Sequence, residues 1–164
     1  MSFKAELKAS LGWNWDDGAA DNRRLDYVAQ LLDGNGSGQA EAAWIAEDQS
    51  LVDAASITLD LDALTRTILG DQLSVSLLTI KALLITNPDT SAGNLVVGNA
   101  ATNEWSAPLG SAGDTLIIPP DGLLLLTNRG SGWTVDATHK NLKLAASGGN
   151  LTYSIAVVGT TTSP

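Results

Sequence analysis

Few residues in this chain can do chemistry. Of 164 residues one is histidine and none is cysteine. Thiolate metal sites, disulfides and cysteine nucleophiles are therefore ruled out. His139 stands alone in Asp136-Ala137-Thr138-His139-Lys140-Asn141, a polar turn between apolar segments. One imidazole supports neither a multi-histidine metal site nor a hydrolytic triad without further partners nearby. The stretch from Asp33 to Trp44 resembles half of a calcium loop. Asp33, Asn35, Ser37 and Glu41 occupy the first, third, fifth and ninth positions and Gly38 the sixth. The twelfth should be a bidentate Glu and is Trp44, so a Gly-rich hinge is the better reading. Asp16-Asp17, Glu47-Asp48 and Asp60/Asp62 are close carboxylate pairs, but 18 acids in this length produce such spacings by chance. Glycoside hydrolysis needs two carboxylates across a cleft, and nothing marks one here. Gly93 to Gly98 lacks the Gly-Lys-Ser/Thr of a phosphate loop. Asn35-Gly36-Ser37 and Asn150-Leu151-Thr152 match the glycosylation sequon without a secretory signal before them. The expectation is a protein that is not an enzyme, with no catalytic, cofactor or metal residue.

Charge narrows the partners. Formal net charge is -9. Residues 1–71 hold 13 acidic and 5 basic side chains, and residues 72–164 hold 5 and 4. Beyond Arg23-Arg24 there is no basic cluster to neutralise phosphates, which argues against nucleic acid. No apolar run near the N-terminus is long enough for a signal core or a membrane span, so no membrane partner is expected.

Ser56 to Thr160 contains eight short apolar segments broken by Gly, Pro, Asn and Asp. Among them are Ser56–Leu61, Leu77–Thr86, Leu116–Pro119, Leu123–Thr127 and Leu151–Gly159. This is the pattern of a mainly β, two-sheet antiparallel sandwich, for which a jelly roll is the chosen topology. Ile57, Leu59 and Leu61 alternate along one face, and Leu78, Ile80, Ala82 and Leu84 are expected inward with Lys81 outward. The wider expected core includes Ile117, Leu144, Tyr153 and Ile155. Asp62 to Leu69 reads as a short helix or turn. Phe3, Leu7 and Leu11 recur every four residues, and Leu25, Val28, Ala29 and Leu32 keep helical spacing. These predict a short helical N-terminal arm. With the Gly34–Gly38 joint the arm spans residues 1–38, and the β body spans 39–164.

Large apolar groups then suggest contact surfaces. The five Trp are Trp13, Trp15, Trp44, Trp105 and Trp133. Trp13 and Trp15 lie in an arm too small for its own core and read as interface anchors. Leu123, Leu124, Leu125 and Leu126 cannot all face one core from a strand. Either a second layer or another subunit covers the rest, and these four are the second candidate interface.

Several phrases carry a family resemblance: KALLITN (Lys81–Asn87), LVVGNAATNEW (Leu95–Trp105), DTLIIPPDGLLLLT (Asp114–Thr127), WTV (Trp133–Val135) and LTYSIAVVG (Leu151–Gly159). Together they make Trp44 to Thr160 resemble short structural proteins of tailed bacteriophages. The resemblance implies a jelly-roll virion component made in the host cytoplasm, and no catalytic residues. The role expected is a capsid decoration or cement protein on the outside of the shell. Its partners would be copies of itself, a trimer being favoured, and the major capsid or other virion proteins. The alternatives are a neck, tail or fibre-base component and, from another class, a carbohydrate-binding receptor module with Trp as its platform.

Overall fold

The computed structural model describes residues 2–16, 20–68 and 71–162. Strands dominate, and there is no helix among the described residues. The chain opens with β1 (Lys4–Asp16) and β2 (Ala20–Asp33), followed by the two-residue β3 (Gln39–Ala40). Next come β4 (Ala42–Leu51), β5 (Ser56–Asp60), β6 (Leu64–Ile68), β7 (Asp71–Val75), β8 (Thr79–Asn87) and β9 (Asn94–Gly98). The last five are β10 (Thr115–Ile118), β11 (Gly122–Thr127), β12 (Trp133–Thr134), β13 (Asn141–Ser147) and β14 (Leu151–Thr160).

The body is a sandwich of two antiparallel sheets. One runs β11-β8-β14-β4, with β12 continuing the β11 edge along β8, and the other β10-β9-β13-β5. Inward residues of both sheets form one core. Leu151, Tyr153, Ile155 and Val157 of β14 meet Leu142, Leu144 and Ala146 of β13 and Leu95 and Val97 of β9. The strict alternation of β13 and β14 explains this: every second side chain points inward, and those are the apolar ones. Trp105 is fully buried and stands edge-on to Trp133 at 6.2 Å. The buried indole N–H groups are satisfied, Trp105 by the Thr134 carbonyl at 3.0 Å and Trp44 by the Thr65 carbonyl at 2.9 Å. These three Trp are packing groups of the body. Of the stretch from Asp62 to Leu69, the described residues 62–68 hold no helix: a turn leads into β6, which pairs with β7.

The helical arm is overturned. β1 and β2 pair antiparallel over their whole length, Lys4 opposite Leu32 and Asp16 opposite Ala20. The reason is arithmetic. A four-residue spacing is two strand periods as well as about one helical turn, so Phe3, Leu7 and Leu11 share a strand face too. Ala5, Ala9 and Trp13 fill the intervening places on that face. Pairing with β2 supplies the backbone bonds that a short isolated helix would have to make alone.

A second correction concerns β8. Val158 pairs with Ala82 but Gly159 pairs with Ile80, so β8 bulges at Lys81 and the facing changes there. Ile80, Leu83 and Ile85 are buried, whereas Leu84 lies 39% exposed on the outer face. Lys81, expected outward, is only 2% exposed. Ile117 is exposed on the edge strand β10, and Leu59 only partly buried; Leu61, Leu144, Tyr153 and Ile155 are buried as their spacing indicates.

Candidate interaction surface

β1 and β2 form a two-stranded ribbon with unlike faces. In this register odd-numbered residues share one face: Ala5, Leu7, Ala9, Leu11 and Trp13 from β1, and Leu25, Tyr27, Ala29 and Leu31 from β2, with Arg23 opposite Trp13 at the outer end. The opposite face carries Lys4, Glu6, Lys8, Ser10, Arg24 and Asp26, with Val28 and Leu32 among them. Lys8 pairs with Glu6, and Arg24 with Asp26 at 3.0 Å. The root of the apolar face is docked. Leu7, Ala29, Leu31 and Ala40 form a small cluster with Ala82 of β8 and Val158 of β14, separate from the main core. Further out the same face is open: Leu11 is 67%, Leu25 70%, Trp13 46% and Tyr27 42% exposed. The Trp15 side chain lies outside the described residues.

The Gly-rich joint at the ribbon's base is hydrogen-bonded rather than loose. Leu32 N–H donates to the Gly38 carbonyl at 3.0 Å, and Gly38 N–H to the Arg129 carbonyl at 2.8 Å. The Arg129 guanidinium reaches the Gln30 carbonyl at 2.7 Å. Gly36 N–H donates to Gln39 Oε1, and Asn35 Nδ2 to Thr162 Oγ1. These bonds fasten both ends of the joint to the body.

Between β1 and the outer face of the β11-β8-β14-β4 sheet lies an apolar groove of about 660 Å³. Its sheet side is made by Ala82, Leu84, Leu123, Leu125, Ala156 and Val158, together with Thr86. Strand β11 thus divides the four leucines by parity. Leu124 and Leu126 pack against the core, while Leu123 and Leu125 line the groove, Leu123 being 68% exposed. Ribbon tip and groove are two apolar areas of the same molecule.

The residues read for chemistry are engaged elsewhere. Glu41 accepts from the N–H and Oγ1 of Thr161 and from Thr162 N–H at 2.9 to 3.1 Å. The Thr162 hydroxyl donates to it as well, and these bonds, that one first, hold its carboxyl below the usual range and clasp residues 161–162 to the base of β4. Asp60 pairs with Lys140 at 2.7 Å and accepts from Asp62 N–H, while Asp62 accepts from Ser76. Asp60 and Asp62 do not converge on a common cleft. Asp136 accepts from the Thr138 hydroxyl and N–H and from His139, which lowers its carboxyl to about 2. His139 and Trp133 border a shallow depression beside that loop. Glu104 bridges two turns, accepting from Asn99 N–H and Gly113 N–H. Among the described residues no group of three or more His, Asp or Glu is placed to hold a metal ion.

Sequence reasoning missed the docking floor. Ala82 and Val158 are small apolar residues on the outside of a sheet, and their role depends on a ribbon far away in sequence. A signal was present in the unbroken odd-numbered apolar row from Phe3 to Trp13. No family model, no curated protein and no solved structure matches this chain.

Proposed function

We propose that the protein is a structural component of a bacteriophage virion, a capsid decoration or cement protein that binds the outside of the shell as a homo-oligomer. The observation that carries this reading is the pairing of an apolar ribbon face with an apolar outer sheet face. Monomeric soluble proteins rarely expose contiguous apolar patches beyond a few hundred Å², and larger ones mark contact sites. The charged groups tell the same story from the other side. Most of those described are spent on internal bonds, as at Glu41, Asp60, Glu104 and Asp136.

The strand order supports a jelly-roll body. Sheet β4-β14-β8-β11 faces β5-β13-β9-β10, and the eight strands of these two sheets switch between them in a jelly-roll-like order. The resemblance of Trp44 to Thr160 to phage structural proteins points the same way. An acidic chain suits the outer surface of a shell, away from packaged DNA.

The test is to mix the purified protein with empty shells of its particle and sediment them. Co-sedimentation, with density on the outer shell lattice in electron micrographs, is the expected result. Density confined to the neck or tail would replace the decoration role with an attachment role. Binding to host glycans with a change in Trp fluorescence, and none to particles, would overturn the structural reading.

A further inference from the structure

We propose that the groove between β1 and the outer sheet face receives the ribbon tip of a second copy of this chain. This deepens the homo-oligomeric part of the reading above and rests on it. The occupant follows from three observations. The first is continuity. Within one chain the odd-numbered ribbon face already docks on this sheet, with Leu7, Ala29 and Leu31 against Ala82 and Val158. The ribbon face continues outward as Ala9, Leu11, Leu25 and Tyr27, and the sheet face continues as Leu84, Leu123, Leu125 and Ala156. Each copy therefore carries an unmatched half of an interface whose other half it has made with itself. A ribbon that cannot reach its own groove with its tip can reach another's.

The second observation is size. Leu11, Trp13, Leu25 and Tyr27 have side chains that fill roughly 500 Å³ at the packing density of protein interiors. The groove holds about 660 Å³. The third is area. At their observed exposures these four side chains leave on the order of 500 Å² open, an apolar patch of the size that marks a contact site. A ribbon-into-groove contact is heterologous, so copies close into a ring in which every chain gives and receives one tip, or exchange tips as a pair. A partner of different chemistry, such as a charged shell surface, would leave the tip leucines and the groove leucines unmatched.

The absence of cysteine makes the test clean. Full-length chains carrying Leu25→Cys and Leu123→Cys are prepared separately, mixed, and oxidised mildly. Cross-links between the two variants, more abundant than those within either alone, are expected. Sedimentation of the unmodified protein at micromolar concentration should show a dimer or a closed ring. Leu25→Lys and Leu123→Lys should each weaken association at least tenfold while leaving the far-ultraviolet spectrum unchanged. A monomer throughout, or cross-links confined to pairs of the Leu25→Cys variant, would overturn the inference. Those outcomes leave the virion reading standing, because shell binding is measured on particles and self-association in free solution. Loss of shell binding by a protein that still cross-links tip to groove would sink the virion reading alone.

Discussion

Substituting Leu31→Ala should loosen the ribbon without melting the body. Leu31 is fully buried, yet the cluster it belongs to is separate from the main core. Removing three buried carbons at such a site costs about 3 kcal/mol. That cost falls on the ribbon-docked state. If ribbon and body are distinct cooperative units, the population with the ribbon lifted rises by a factor of roughly 150. Leu144→Ala is the control, since Leu144 is equally buried but sits where the two sheets meet. In a domain of this length about 3 kcal/mol lowers the melting temperature by roughly 6–12 °C. The assay pairs a thermal melt with amide exchange or limited proteolysis, read separately over β1–β2 and over the body strands. Leu31→Ala should speed exchange in β1 and β2 by about two orders of magnitude and shift the melt by less than ~3 °C. Leu144→Ala should shift the melt fully. A Leu31→Ala melt as depressed as that of Leu144→Ala, with no selective exchange in the ribbon, would show one cooperative unit and refute the reasoning.

Lys81 is buried, and burial pushes its ammonium below the ordinary 10.5, with the Gly130 carbonyl 2.6 Å from Nζ. The folded state therefore sheds this proton before the unfolded one, and stability should gain as pH climbs toward 10.5. Lys81→Met should abolish that gain and raise the melting temperature at neutral pH by about 2 °C or more; a fall of several degrees would mean the Gly130 bond outweighs the burial cost. Asp136 has the same sign in an acid window: its carboxyl is lowered from 3.8 to about 2, so its contribution is complete above 3.8 and lost as pH falls through about 2. Asp136→Asn should flatten the acid limb of stability between those values, as followed by melts at stepped pH. Gly159→Ala would set a methyl group inside contact distance of the Thr79 carbonyl oxygen, where β14 crosses the bulge in β8. Strand separation there should cost more than ~2 kcal/mol, seen as a melt at least ~5 °C lower; an unchanged melt would show that the bulge relaxes freely.

The β body was legible because its strands announce themselves locally. β13 alternates throughout and β14 as far as Val158, and Pro119-Pro120-Asp121-Gly122 marks the turn between β10 and β11. The ribbon was misread because Leu7 and Leu11 satisfy two periods at once, and only pairing with a strand some twenty residues on breaks the tie. The inward set in β8 was misread because one extra residue at Lys81 exchanges the two faces, and a bulge leaves no mark beside an apolar run such as Ala82–Ile85. The groove was half legible. Four successive leucines declare that some must lie off the core, but the opposing wall is β1, and proximity across more than a hundred residues follows from topology alone.

Strand β14 also sets a timetable for synthesis. It pairs with β4, the first long strand of the body, and with β8 from the middle of the chain. Every other described strand is translated before it. Until β14 arrives, β4 has no neighbour in its sheet, and the floor that receives Leu7 and Leu31 lacks Val158. The ribbon precedes all of these strands in the chain, so its apolar face stays uncovered while they are made. Contacts so distant in sequence close slowly, and unpaired strands are open to wrong partners meanwhile. The nascent body is therefore most exposed to misassembly just before the ten-residue β14 is made, and slow translation of the middle segments prolongs that exposure rather than relieving it.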